Sequence, residues 1–97
     1  MNIQLNKFGT TLVSRQMGKE AFLAFSPSLS EVKNDEAVNV DFTGVNTFSP
    51  SWGDEFLTPL LKKFGNNLLL LKTDNPSVKM TVELIEEINK EKFKKEI

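Results

Sequence analysis

The chain has 97 residues, of which 39% are hydrophobic and 26% charged. This length allows one compact domain, and this composition is typical of a globular chain, so a multidomain protein is excluded and disorder is disfavoured. With 12 basic and 13 acidic residues the net charge is -1, which lacks the basic excess of a typical nucleic-acid-binding domain. We therefore expect a single small domain without a nucleic-acid partner.

Three residue types that often carry chemistry are missing from the chain. Without Cys and His it has no thiolate nucleophile, no usual general base and neither of the commonest metal ligands, and it also lacks Tyr. We expect neither a metal centre nor a cofactor nor an enzyme. No signal-peptide-like apolar run occupies the N-terminus and no apolar run is long enough for a membrane span, so a cytoplasmic location is expected.

The first third of the chain predicts a strand and a short helix. Residues 2–6 alternate between polar and apolar side chains, as in a half-buried strand, and residues 10–13 favour a hairpin or bulged continuation. Ser14 suits a helix N-cap, and the helix should end near Pro27 because the residue before a proline leaves the α region. Gly18 indicates either a short helix or a close packing partner. The predicted apolar face consists of Met17, Ala21, Phe22 and Phe25.

The middle of the chain predicts an alternating strand followed by a strongly amphipathic helix. Residues 37–42 place Val38, Val40 and Phe42 on one side of a strand. Two caps are open for the helix: Ser49 with Pro50 at the first helical position, or Ser51 with Asp54 three residues later. Pro59 interrupts the apolar repeat and predicts a kink or a broken turn. The repeat itself consists of Phe56, Leu57, Leu60, Leu61 and Phe64.

The last third predicts a buried strand and a third helix. Residues 68–71 form an unbroken apolar run, typical of a strand covered on both faces. Asn75 suits an N-cap with Pro76 in the first turn, and lysines and glutamates up to Lys95 should solvate the outer side of the helix. The predicted apolar stripe consists of Val78, Val82, Ile85 and Ile88.

Alternation of strands with helices predicts the fold class. It is typical of an α/β sandwich with a mixed, mostly parallel sheet. We expect about four strands flanked by about three helices, in one domain spanning residues 1–97.

The stretch from Val40 to Phe56 is the most specific part of the sequence. Here a strand ends, a short loop turns and a helix begins at a serine. Together with Ser14-Arg15-x-x-Gly18, this order resembles a bacterial STAS-like domain family of unknown function, related to the STAS domains of sulphate transporters and anti-sigma-factor antagonists. The resemblance covers nearly the whole chain and implies a small STAS-like α/β sandwich.

The same resemblance implies a regulatory function. Anti-sigma-factor antagonists carry a phosphorylatable serine at this strand-loop-helix junction, and a histidine-kinase-like ATPase modifies it. Ser51 falls at the phosphoacceptor position when the two motifs are aligned through Asp41 and Gly44. Phosphate would add about -1.5 to -2 charges at a helix N-terminus.

Three interpretations remain open from the sequence. The first is a non-enzymatic signalling module that binds a protein partner through Ser49, Trp52, Asp54 and Glu55. The second is a phosphoswitch on Ser51, and the third is a small anion-binding or nucleotide-binding module at the helix starts. Ser14 and Arg15 form either an anion site or part of a surface ion pair. The sequence also leaves a homo-oligomer open.

Overall fold

The computed structural model describes all 97 residues, Met1–Ile97. Three helices alternate with short strands, and residues 5–8 and 65–67 form 3-10 turns. The helices are α1 (Arg15–Leu29), α2 (Pro50–Phe64) and α3 (Pro76–Asn89). The strands are β1 (Asn2–Gln4), β2 (Thr11–Leu12), β3 (Val38–Asp41), β4 (Thr47–Phe48), β5 (Leu68–Leu70) and β6 (Lys94–Lys95).

Two parallel sheets make up the β structure. The larger has four strands in the order β1-β3-β5-β6, and the smaller consists of β2 paired with β4. The predicted α/β fold with about four sheet strands and three helices is confirmed. The sheet is not mixed as expected: every strand pair is parallel, since each crossover between neighbouring strands of the larger sheet contains a helix.

Only one face of the four-stranded sheet is fully buried. Because the strands cross the sheet in chain order, right-handed connections place all three helices on the same face. The prediction of a strand covered on both faces is therefore wrong for Leu69 and Leu71, which are only half-buried. The side chains facing the helices are fully buried: Ile3, Val38, Val40, Leu68 and Leu70.

Helix α2 lies between α1 and α3 and contributes the largest share of the helix-side core. Trp52 and Phe56 point into this core, and both are essentially unexposed. Gly18 of α1 packs directly against Trp52, since a Cβ at Gly18 would lie 2.8 Å from the Trp52 carbonyl oxygen. The close packing partner expected at Gly18 is thus confirmed. Because glycine has no side chain, the backbones of α1 and α2 can come into contact here.

The structure corrects three predictions about the helices. Helix α1 does not end near Pro27 but continues to Leu29, which is 1% exposed and so gains core contacts that outweigh the missing amide bond. Met17 faces solvent rather than the core. The broken turn expected at Pro59 is wrong: helix α2 continues through it because buried leucines and phenylalanines hold the helix against the core on both sides of it.

The small sheet also differs from the prediction for residues 10–13. They form no hairpin. Instead, β2 pairs in parallel with β4, and Thr11 lies opposite Thr47, which is 36 residues later in the chain. The Ser49 amide donates to the Leu12 carbonyl at 2.9 Å and extends this pairing to the start of α2. Such a short pairing depends on a distant segment, so local periodicity does not indicate it.

The C-terminus forms a strand where the sequence predicted a solvated helix end. Helix α3 ends at Asn89, and Lys90 adopts a left-handed conformation with φ 53° that turns the chain back to the sheet. Glu86 is 4% exposed and accepts hydrogen bonds from the Phe93 amide (2.8 Å) and the Lys95 ammonium (2.7 Å). This buried carboxylate holds β6 against the helix layer.

Candidate functional site

The three helices begin at the same end of the larger sheet, beyond the carboxyl ends of its strands. The β2–β4 pair ties these starts together. The Thr81 hydroxyl donates to the Phe48 carbonyl at 2.6 Å, and the Asn75 amide group donates to the Val45 carbonyl at 2.7 Å. In open α/β sheets, ligands and partners commonly bind at this end. It is also the end where the sequence places all candidate residues.

Ser49, and not Ser51, caps helix α2. The Ser49 hydroxyl accepts a hydrogen bond from the Trp52 amide at 3.2 Å and donates one to the Val13 carbonyl at 2.8 Å. Pro50 follows at the first helical position. The first of the two predicted caps is confirmed and the second is wrong. Because its hydroxyl both donates and accepts a hydrogen bond within the protein, Ser49 stabilises the contact between the starts of the two helices. It is therefore poorly placed to bind a partner.

Ser51 lies in the first turn of α2, one residue after the helix begins. It is half-buried, and its hydroxyl takes part in none of the side-chain hydrogen bonds of the structure. Asp54 stands one turn further along, on the same side of the helix. The serine predicted as a phosphoacceptor is therefore a free hydroxyl near a helix N-terminus with a carboxylate beside it.

Trp52 is part of the core. It is 1% exposed, stacks on Phe56 with ring centroids 5.1 Å apart, and contacts Phe48 and Phe8 at 5.8 and 6.1 Å. Gly18 covers it from α1. Its burial does not support the predicted role as a contact anchor, because almost none of its surface is accessible to a partner.

Asp54 and Glu55 bind Arg15 across the junction between α1 and α2. One guanidinium nitrogen, Nη1, donates to Asp54 Oδ2 at 3.2 Å and to Glu55 Oε1 at 3.0 Å. The hydrogen bonds that Arg15 donates, first to Glu55 and then to Asp54, raise the pKa of Arg15. Asp54 also accepts from the Thr58 hydroxyl at 2.7 Å. The three charges thus form a fixed, solvent-accessible network, which we call the Arg15 network.

This geometry favours the ion-pair interpretation of Ser14 and Arg15 over an anion site. The Ser14 hydroxyl accepts from the Met17 amide and caps α1, as predicted. Two carboxylates neutralise the guanidinium, so its charge is no longer available to a phosphate. The start of α3 is also occupied: the Asn75 side chain accepts from the Ser77 amide and donates to two loop carbonyls.

A surface groove of about 410 Å³ runs beside the Arg15 network between α1 and α2. Its α1 wall includes Lys19 and Leu23, and Leu23 is 61% exposed. Sequence reasoning missed this wall. A signal was present, since Arg15, Lys19 and Leu23 recur at four-residue spacing and so share one helix face. Asp54, Glu55 and Pro59 line the opposite wall.

Asp41, which anchors the resemblance, has a structural role in the loop before α2. Its Oδ1 accepts from the Thr43 amide at 2.9 Å, and hydrogen bonds from the Thr43 side chain and backbone lower the pKa of this carboxyl. Gly44 follows with φ 83°, a conformation that glycine adopts without strain. The turn directs the chain from β3 to β4 and so positions the start of α2.

No family model, curated protein or solved structure matches the chain. None of its helices combines the length and apolar character that a membrane span requires. The side chains also include no group of three or more potential ligands close enough to hold a metal ion.

Proposed function

We propose that this protein is a non-enzymatic, STAS-like regulatory module of a bacterial signalling system, located in the cytoplasm, that binds a protein partner. The contact region in this proposal is the α1–α2 surface, defined as Arg15, Lys19, Leu23, Ser51, Asp54 and Glu55. It keeps the three residues near the start of α2 that are accessible and omits Ser49 and Trp52, whose side chains serve the fold.

The observation that carries the proposal is the Arg15 network, whose carboxylates are both hydrogen-bonded and accessible to solvent. Asp54 and Glu55 keep about 30% of their side-chain surface exposed while hydrogen bonds fix their positions. Side chains that are already ordered lose less entropy when a partner binds. An exposed Leu23 beside them supplies the apolar contact that accompanies charged groups in many interfaces.

The charges of the surface indicate what the partner presents. The charges of the α1–α2 surface balance, since Arg15 and Lys19 face Asp54 and Glu55, and Arg15 uses its charge within the network. A partner with a basic side chain near Asp54 and Glu55 and an acidic one near Lys19 would complement it. By resemblance, a histidine-kinase-like ATPase is the first candidate for this partner.

Site-specific photocrosslinking in the cells of origin tests the surface. A photoreactive amino acid at position 23 should capture one defined protein, because Leu23 is exposed at the edge of the Arg15 network. The control carries the same amino acid at position 2, on the open face of the sheet. Capture of the same protein from both positions, or from position 2 alone, would place the contact elsewhere and refute the proposed surface.

Ser51 supports a second candidate function, a phosphoswitch within the same surface. Its unbonded hydroxyl lies in the first turn of α2, where helix amides favour a phosphate. Asp54 and Glu55 would repel that phosphate, so modification would loosen the Arg15 network and change partner affinity.

Incubation with a histidine-kinase-like ATPase and ATP, followed by intact mass measurement, tests the phosphoswitch. One phosphate should appear on the wild type and none on Ser51→Ala. Equal phosphorylation of the two proteins, or none on either, would eliminate the phosphoswitch and leave the partner-binding proposal standing.

A further inference from the structure

Helix α3 carries a second apolar stripe on its outer side. Met80, Leu84 and Ile88 are 70%, 40% and 60% exposed, whereas Val82 and Ile85 of the same helix are buried. Residues four apart share a helix face, so these three side chains form a continuous row about 12 Å long. We call it the α3 stripe. Ile88 was predicted to face the core, and the structure places it here instead.

The α3 stripe borders a groove of about 260 Å³. The groove lies between α3 and the end of β4, and its lining includes Met80 and Leu84 on one side and Phe48 and Pro50 on the other. A row of apolar side chains beside an apolar groove is the geometry that receives an amphipathic helix. No other element of the chain covers this row.

Acidic residues flank the stripe on its other side. Glu83 and Glu87 are exposed on α3, and Glu91 lies just beyond the end of the helix. None of these three carboxylates takes part in an ion pair, while neighbouring Glu86 binds Lys95. Lys79 of the same helix lies beyond Glu83, farther from the stripe around the helix. Lys90, Lys92 and Lys95 line the same cleft as these glutamates, and Lys92 and Lys95 pair with Glu86. The edge of the stripe formed by Glu83 and Glu87 is therefore negative.

The negative border of the stripe favours one kind of binding partner over the others. An antiparallel twofold pairing of α3 with a second copy would place the two acidic flanks opposite each other, and like charges in that position are destabilising. An anionic membrane surface would be repelled for the same reason. A helix with Lys or Arg beside its apolar row complements both the apolar and the charged part of the surface.

We infer that the α3 stripe is a docking site for a basic amphipathic helix of a protein partner. The helix lies along α3, inserts apolar side chains beside Met80, Leu84 and Ile88, and places basic side chains against Glu83 and Glu87. This surface lies on a different helix from the Arg15 network. It can be occupied or lost independently of the proposed α1–α2 contact.

Two designed peptides test the site. Each has about 18 residues, or five helical turns, with leucines on one face; one carries lysines on both flanks and its twin carries glutamates there. Backbone amide shifts measured by NMR locate the bound peptide and give its affinity. The lysine peptide should bind at least about tenfold more tightly than its twin, which is about 1.4 kcal/mol. The shifts should concentrate at Met80, Leu84 and Ile88.

Charge reversal distinguishes local complementarity from net charge. Glu83→Lys with Glu87→Lys should invert the preference between the two peptides. The control, Glu20→Lys with Glu31→Lys, changes the net charge by the same amount, but at positions on α1 and just beyond its end. The control protein should still prefer the lysine peptide. Both pairs consist of exposed residues, so each variant should fold.

Four results would overturn the inference: binding of neither peptide, shifts that map elsewhere, an inverted preference in the control, and a wild-type dimer in sedimentation that Ile88→Gln dissociates. The last would assign the stripe to a second copy of the chain.

Discussion

The two sides of the helix layer are built differently. On the inner side, around Trp52, the backbone of α1 touches that of α2, and a methyl group added at Gly18 would lie 2.8 Å from a carbonyl oxygen. On the outer side, α3 leaves Met80, Leu84 and Ile88 in solvent. Close packing restricts the inner side to one arrangement, whereas the outer side has room for another molecule.

This difference separates residues that maintain the fold from residues available for binding. Substitutions on the inner side should lower the free energy of unfolding, and substitutions on the outer side should leave it nearly unchanged. A substitution that breaks this rule would show that a surface is wrongly assigned.

Trp52→Ala should produce the largest loss of stability. Removal of a fully buried tryptophan from the contacts with Phe56, Phe48 and Phe8 should cost about 3–5 kcal/mol of unfolding free energy. Urea denaturation followed by circular dichroism measures it, since the variant lacks the only tryptophan of the chain. A loss below about 1 kcal/mol would contradict the core position of Trp52 and restore it as a surface residue.

Gly18→Ala tests the close contact between α1 and α2 by the sign of its effect. Helix propensity alone predicts a gain of about 1 kcal/mol. The steric overlap with the Trp52 backbone predicts a net loss of about 1–3 kcal/mol. Thermal and urea unfolding of the variant against the wild type gives the sign. A stabilised Gly18→Ala protein would mean that the two helices are not in backbone contact.

Ser49→Ala and Ser51→Ala form a matched pair two residues apart. Loss of the cap and of the bond to the Val13 carbonyl should cost about 1–2 kcal/mol for Ser49→Ala. Ser51→Ala should change stability by less than about 0.5 kcal/mol because its hydroxyl is unbonded. Chemical denaturation of both proteins provides the comparison. A larger loss for Ser51→Ala would reverse the assignment of the cap.

The smallest effect is expected on the outer side of α3. Met80→Gln with Ile88→Gln should leave the unfolding free energy within about 0.5 kcal/mol per substitution. Ile85→Ala, on the inner side of the same helix, should cost about 2–5 kcal/mol. If the double variant is as unstable as Ile85→Ala in urea, the α3 stripe is part of the core and cannot be a docking surface.

Local chemistry predicts much of this fold. Ser14 and Asn75 mark helix starts because their side chains satisfy free amides, and the alternation around Val38 and Val40 identifies the buried face of a strand. The extension of α1 to Leu29 depends on packing from elsewhere in the chain. Similarly, β6 depends on the buried Glu86, and neither effect is visible in a local window.

The candidate site is predictable only in part, for the same reason. Charged residues at the start of α2 indicate an exposed turn, and Asp54 and Glu55 do lie there. Their pairing with Arg15 spans 39 and 40 residues of sequence and follows from the contact of α1 with α2. By sequence Trp52 is either a core residue or a contact anchor, and the packing of Gly18 and three phenylalanines around it assigns it to the core.

The central claim is that the Arg15 network contacts a protein partner. The most direct test is calorimetric titration of the partner captured at position 23 with Glu55→Lys and with Glu31→Lys. Both variants change charge equally at exposed or half-exposed sites, and Glu31 lies beyond the far end of α1, about 22 Å from its start. The proposal predicts at least about tenfold weaker binding for Glu55→Lys and unchanged binding for Glu31→Lys. Unchanged binding by Glu55→Lys, or an equal loss in both variants, would contradict it.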